Sequence, residues 1–215
     1  TLARLQQGAL VPDSGAMSCD KPEAGTLRLG VLGSGRGSNF EAIHRAIAQG
    51  ALDAKIRVVI SDDAESRILQ RARELGYETA HVAPGAGAGM SGEAQQKLCD
   101  ILQCHEVLLV VCAGFMRILK EPVLGRYAAR IVNIHPSLLP KFKGREAWVR
   151  ALEEGELETG CTVHLVTGEI DGGRILAQET VPIHLGDSPE DLLDRIQEQE
   201  HRLLPRVLAE WRERG

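Results

Sequence analysis

From Leu27 onward, short apolar segments alternate with segments of helical periodicity, and this alternation limits the possible folds more than any other feature. Strands are predicted at residues 27–32, 55–61, 78–82 and 107–112, and the helices between them end near Gln49, Leu75 and Gln103. The segment 107–112 is almost wholly apolar, as in a strand that is covered on both faces of a parallel sheet. The pattern therefore predicts strand–helix–strand crossovers and a mainly parallel sheet.

The second half of the chain continues the sheet less regularly. We predict strands at 131–135, 161–166 and 175–181, the last two as a mixed or antiparallel addition, and a helix at 146–154. Ser188, Pro189 and Asp191 form a good start for a final helix, with a hydroxyl cap, a proline and an acid in the first turn. The expected fold is a single α/β domain, Rossmann-like, with a mainly parallel twisted sheet and helices on both faces. It covers residues 27–215, and residues 1–26, which show no sustained period, are expected to be a flexible N-terminal extension.

Composition excludes several classes of partner. With 25 Lys and Arg against 30 Asp and Glu, the formal net charge is −5, which argues against a general nucleic-acid or membrane-surface binder. No apolar run is long enough to predict a transmembrane helix. The five cysteines are odd in number and lack paired spacing, so we expect reduced thiols, no metal site and a cytoplasmic protein.

The turn after the first strand, residues 33–39, resembles a phosphate-binding loop. Glycines allow backbone amides to approach an anion, and the helix that begins near Ser38 offers unpaired N–H groups. Because Ser38 stands where a dinucleotide fingerprint requires glycine, a monophosphate held by Gly37, Ser38 and Asn39 fits better than a pyrophosphate. The alternative is a glycine-rich turn without a ligand.

A second group of candidate residues comprises Asn133, His135 and Asp171. Asn133 and His135 lie two residues apart in a predicted strand and so share one of its faces, and Pro136 and Pro140 end that strand. Asp171, in a glycine-rich turn, is expected to orient the imidazole of His135 and raise its pKa, while the Asn133 amide stabilises an oxyanion. The three side chains suit acyl transfer to an amine by direct attack. His164 is interpreted as a structural residue within a strand.

Six motifs in their order and spacing resemble those of the glycinamide ribonucleotide formyltransferase family, over about residues 27–211. They are GRGSN at 35–39, AGFMRIL at 113–119, NIHPSLLP at 133–140, TGCTVH at 159–164, DGG at 171–173 and QEH at 199–201. The resemblance implies transfer of the formyl group of 10-formyltetrahydrofolate to the amine of glycinamide ribonucleotide, in purine synthesis and without a metal.

The resemblance also implies roles by position. Gly37, Ser38, Asn39 and Glu200 would bind the ribonucleotide, and Asn133, His135 and Asp171 would be catalytic. The folate would contact the residues of two loops together with Asn133: Met116, Arg117, Ile118, Leu119, Thr167, Gly168, Glu169, Ile170 and Asp171. Both substrates are small molecules, and a monomer or a homodimer is compatible with this assignment.

Two other functions remain open at this stage. A formyltetrahydrofolate deformylase would pass the formyl group to water, and a non-catalytic nucleotide-binding module would need only the phosphate loop. The chain also departs from the family pattern in the loop at 84–92, where Ser91 stands near the position of a basic residue that contacts the ligands.

Overall fold

The computed structural model describes residues 26–85 and 89–211. The predicted N-terminal extension lies outside the described residues, apart from Thr26. Seven strands form one sheet: β1 (Leu27–Leu32), β2 (Ala54–Ser61), β3 (Thr79–His81), β4 (Leu109–Cys112), β5 (Ile131–His135), β6 (Glu158–Leu165) and β7 (Ile175–Pro182). Six helices accompany them: α1 (Ser38–Ala48), α2 (Arg67–Glu74), α3 (Gly92–Cys104), α4 (Val123–Arg126), α5 (Ala147–Glu153) and α6 (Pro189–Ala209).

The strand order in the sheet is β3-β2-β1-β4-β5-β6-β7. The first five strands in the chain pair in parallel, and β6 and β7 are added antiparallel. This confirms the predicted α/β class and the predicted change of direction late in the chain. The short helix α4 was not predicted, because four residues that include Gly125 carry no helical period.

Successive residues of the central strands face two different hydrophobic clusters. In β4, Leu109 and Val111 pack into one cluster with α1, α2 and α6, whereas Val110 and Cys112 pack into the other with α3 and α4. Both faces of the sheet are thus covered, which explains why the strands appear as continuous apolar runs in the sequence.

Helix α6 begins with the predicted cap: the Ser188 hydroxyl accepts from Asp191 N, and Asp191 Oδ2 accepts from Ser188 N, which together form a capping box. Among the helices of residues 26–85 and 89–211, none is long and apolar enough to cross a membrane.

The position of β1 determines where a ligand can bind. β1 lies between β2 and β4 in the sheet. The connection that follows β1 therefore leads toward β2, whereas the connection that follows β4 leads the opposite way, toward β5. Loops that diverge in this way leave a crevice at the carboxyl edge of the sheet, which is the usual ligand position in open α/β sheets.

Candidate active site

A cavity of about 510 Å³ occupies this crevice. It is lined by the loops that follow β1, β4 and β6, by the end of β5, and by one face of α6. Every site residue predicted from the sequence lines this one cavity, although these residues are spread from Gly37 to Glu200. The structure thus brings together all of the candidates for phosphate, folate and catalytic contacts.

The loop after β1 has the geometry of an anion site. Gly37, with φ of 83°, precedes α1, and no side chain caps the first amides of this helix. A Cβ at Gly37 would lie 2.9 Å from side-chain atoms of Ile68, so both the backbone conformation and the packing require glycine. The N–H groups at the start of α1 are therefore available to a phosphate, and the positive end of the helix dipole favours its charge.

Glu200 of α6 contacts this loop from the opposite side of the cavity lining, through Asn39. Its side chain is buried, with 5% exposure, and Oε2 accepts a hydrogen bond of 2.8 Å from Asn39 Nδ2. Burial raises the pKa of Glu200 from 4.5 to about 7, and the Asn39 hydrogen bond opposes this only in part. A buried carboxyl that borders a cavity and has a neutral partner suits a ligand that carries an amine.

Asp171 joins two imidazoles in the lining of the cavity. Its Oδ2 lies 3.5 Å from His135 Nδ1 and accepts from Gly144 N at 2.8 Å, and its Oδ1 lies 3.4 Å from His164 Nε2. Burial acts to raise the pKa of Asp171, but the contacts with His164, His135 and Gly144 N outweigh it and hold this pKa below its usual value. Asp171 is therefore a carboxylate at neutral pH.

The His135 ring is fixed through both of its nitrogens. Nε2 lies 2.9 Å from the Phe142 carbonyl oxygen, which only accepts, so Nε2 carries a proton and Nδ1 faces Asp171. Burial lowers the pKa of His135, and the opposing effects of Asp171 and the Phe142 carbonyl do not overcome it. Asp171 thus acts to raise the pKa of His135, as expected, but the expectation of an imidazolium that serves as an acid near neutral pH is wrong, since desolvation of the ring is the larger effect.

His164, interpreted from the sequence as a structural residue within a strand, also borders the cavity and belongs to this cluster. Its Nδ1 lies 2.8 Å from the carbonyl oxygen of Leu165 and so donates to it, which leaves Nε2 to accept from Asn133 Nδ2 at 3.1 Å. His164 thus contacts both Asn133 and Asp171. The antiparallel register explains this, because β6 pairs His164 directly with Asn133 of β5.

The folate-type cleft predicted at Met116–Leu119 and Thr167–Asp171 has an apolar rim. The side chains of Met116, Ile118 and Ile170 are 62%, 39% and 53% exposed and border the same cavity. Exposed apolar side chains around a cleft suit a flat organic ligand. Leu119 differs from these three, because its side chain is buried in the hydrophobic cluster beneath α3 and α4.

Two ion pairs border this rim. Arg117 Nε lies 2.6 Å from Asp62 Oδ2, and Lys143 Nζ lies 2.7 Å from Glu169 Oε1. Ser91, near the position of the missing basic residue, accepts from Ala94 N and so caps α3. Residues 86–88 of that loop lie outside the described residues.

Sequence reasoning missed further lining residues on α6. Leu193 and Gln197 border the cavity together with Glu200, at spacings of four and three residues, which place all three on one face of the helix. This periodicity was available in the sequence. Trp148 and Arg145 also line the cavity, but their neighbourhood has no pattern that would have identified them.

Comparisons with known proteins show what the whole chain is similar to. A sequence profile of the formyl transferase family matches residues 27–208. Phosphoribosylglycinamide formyltransferase of Escherichia coli is 41% identical over 184 residues, which are 85% of this chain and 86% of that protein. Among solved structures, glycinamide ribonucleotide transformylase 1 from Symbiobacterium toebii has a TM-score of 0.84 and 42% identity, and the match covers 92% of this chain and 93% of that one. A formyltetrahydrofolate deformylase from Pseudomonas syringae pv. tomato has a TM-score of 0.81 at 27% identity, with coverage of 88% and 62%.

Proposed function

This chain belongs to the formyl transferase family, and we propose that it transfers the formyl group of 10-formyltetrahydrofolate to the amine of glycinamide ribonucleotide. One observation carries the proposal: a single cavity joins the phosphate-type loop at Gly37, the buried carboxyl of Glu200 and the polar cluster around Asp171. A phosphorylated substrate that carries an amine matches the first two parts, and the formyl group of a folate would react beside the third, with the flat ring system of the folate against the apolar rim.

Binding of the ribonucleotide rests on α1 and Glu200. The N–H groups of Ser38 and Asn39 would hold the phosphate, and Glu200 would hold the amine. Because the described residues offer Glu200 only the neutral Asn39 as a hydrogen-bond partner, an amine placed there also relieves an isolated buried carboxyl.

The chemical step is attack of the amine nitrogen on the formyl carbon, which moves the carbonyl electron pair onto oxygen. The Asn133 amide carries two N–H groups, of which one is directed to His164, so the other would stabilise the oxyanion. Collapse of this intermediate expels the folate nitrogen and leaves the formyl group on the amine.

The cluster around Asp171 would carry the proton from the amine to the folate nitrogen. His135, whose pKa is lowered by burial, begins neutral and takes the proton at Nδ1, opposite Asp171 Oδ2. The proton then leaves with the folate nitrogen as its C–N bond breaks. Asp171 would stabilise the transient imidazolium. His164, which contacts both Asn133 and Asp171, would fix the positions of these two side chains relative to each other.

The test is a spectrophotometric transfer assay with a stable 10-formyl folate analogue, with and without glycinamide ribonucleotide. Folate product that forms only in the presence of the ribonucleotide is the expected result, and the variant Asn133→Ala should form it far more slowly.

A deformylase is the second candidate, favoured by the likeness to the Pseudomonas syringae protein. It would release folate at the same rate without the ribonucleotide, which would refute the transferase proposal. No release under either condition would instead favour a nucleotide-binding module.

A further inference from the structure

A second cavity, of about 240 Å³, lies at the opposite end of the parallel strands from the active site. It borders the amino ends of three parallel strands, since Arg28 is the second residue of β1, Leu108 precedes β4 and Arg130 precedes β5. The remaining lining residues are Gln103, Glu106, Val107, Arg126 and Tyr127. Neither the proposed reaction nor its substrates involve this edge of the molecule.

Carbonyl groups orient the three arginines of this cavity. Arg28 Nε donates to the Glu106 carbonyl oxygen at 2.7 Å, and Arg130 donates to the carbonyl oxygens of Arg126 and Leu108 at 2.7 and 3.4 Å. With its amide oxygen turned toward the arginine, Gln103 accepts from Arg126 at 2.6 and 3.0 Å. A guanidinium has five N–H donors, so each arginine is held in place while part of its fork makes no hydrogen bond to the described residues.

Carboxylates do not neutralise these guanidinium groups. Among the described residues, none of the three arginines has a carboxylate oxygen within 4.0 Å, whereas Arg57, on the neighbouring strand, reaches Glu106 at that distance. Three arginines and one glutamate give the cavity lining a formal charge of +2, in a chain whose net charge is −5. The charge is therefore local, and it matches a dianion.

These hydrogen bonds explain how each arginine is held, but not why three arginines border one cavity. Guanidinium forks match the oxygens of phosphate in pairs, and phosphate is a dianion near neutral pH. We propose that this cavity is a second anion site, which binds a phosphate dianion as inorganic phosphate or as a phosphate monoester.

The experiment follows the arginine Nε–H signals of the full chain in ¹⁵N–¹H NMR spectra during titration with inorganic phosphate at pH 7.5. Saturable shifts of the Arg28 and Arg126 signals, without a shift of Arg73, are expected. Arg73 is a matched control because it is exposed on α2, at a different part of the surface. The readout is specific to this cavity, so phosphate binding at the loop after β1 does not affect it.

Four variants, one of them the Arg73 control, sharpen the test. Arg126→Gln and, independently, Arg28→Gln should weaken phosphate binding about tenfold each, as expected for a lost charged hydrogen-bond donor, whereas Arg73→Gln should not. Glu106→Gln should tighten binding, because it removes the negative charge of the lining. A merely structural effect of the substitutions would not give this opposite sign.

The ligand source is resolved by repeating the titration with ribose 5-phosphate and with malonate. Tighter binding of ribose 5-phosphate than of inorganic phosphate would identify a monoester site, and the reverse order would identify an inorganic phosphate site. The proposal is overturned if the arginine signals do not shift, if malonate binds as tightly as phosphate, or if Glu106→Gln weakens binding.

Discussion

Glu200→Gln is expected to stabilise the ligand-free protein at high pH while it impairs ligand binding. The Glu200 carboxyl is 5% exposed, and its hydrogen-bond partner is the neutral Asn39 amide. Burial raises its pKa from 4.5 to about 7. Ionisation in the folded state therefore carries a desolvation cost that the unfolded chain does not bear.

The size of this cost follows from the shift in pKa. Below pH 4.5 the carboxyl is protonated in both states, so it contributes no pH-dependent difference. Between pH 4.5 and 7 the folded state retains a proton that the unfolded state has lost, and the free energy of unfolding falls as the pH rises. Above pH 7 the loss is complete and amounts to about 3 kcal/mol, at 1.36 kcal/mol for each pKa unit.

Glutamine removes this charge and keeps a carbonyl oxygen that can accept from Asn39 Nδ2. The free energy of unfolding of Glu200→Gln should thus exceed that of the parent chain by about 3 kcal/mol at pH 8, and by less than about 1 kcal/mol at pH 5. Urea unfolding followed by circular dichroism at the two pH values measures both differences.

Glu198→Gln is the matched control, because Glu198 is exposed on the same helix. It should change the free energy of unfolding by no more than about 0.5 kcal/mol at either pH. An equal stabilisation of Glu200→Gln at pH 5 and pH 8, or a loss of stability at pH 8, would refute the reasoning. The same variant should bind glycinamide ribonucleotide more weakly, as measured by calorimetry, because it no longer offers a charge to the amine.

Three further predictions concern catalysis and packing. Asp171→Asn should lower kcat by about 100-fold or more with a much smaller change in KM, since the carboxylate acts on the His135 imidazolium; steady-state kinetics measure this, and an unchanged kcat would contradict it. Burial lowers the pKa of His135, so the imidazole should titrate below its ordinary value of 6.5 in the ligand-free protein; NMR spectra of the ring at a series of pH values measure this, and a pKa above 6.5 would refute its role as a neutral proton acceptor. Gly160→Ala should lower the free energy of unfolding by at least about 2 kcal/mol in urea titrations, because the new Cβ would overlap the Glu179 carbonyl oxygen. Gly92→Ala should not, because the space at that position is open. Equal effects of the two substitutions would be inconsistent with this packing.

The parts of the site that depend on local sequence were predictable. Gly37, Ser38 and Asn39 follow β1 after four intervening residues and begin α1, so neighbouring residues define the loop without any knowledge of the sheet. Likewise, Asn133 and His135 face the same side of β5 because of the two-residue period of a strand. Their meeting with Asp171 depended on the motif resemblance as well.

The parts that depend on strand register were not predictable. His164 has the appearance of a core residue, since it lies in a run of buried positions of β6 and is itself 2% exposed. His164 reaches the site because β6 runs antiparallel to β5, in a register that pairs His164 with Asn133. The direction of the His135 pKa shift also depends on tertiary structure, because burial of the ring and contact with Asp171 act in opposite directions.

Three residues in the loops around the proposed catalytic cluster have a left-handed backbone conformation. Phe142, Glu146 and Asp171 have φ of 55°, 55° and 47°, in the left-handed region that costs a residue with a side chain about 1 kcal/mol or more. The Phe142 carbonyl orients His135, and Asp171 contacts His135, His164 and Gly144 N. A fold that needed only to close these loops would favour glycine or asparagine at such positions. Instead, two of these residues contact His135 directly, Phe142 through its backbone carbonyl and Asp171 through its carboxylate. The ring that we propose as the proton acceptor is thus held between a fixed carbonyl and a fixed carboxylate before any substrate arrives.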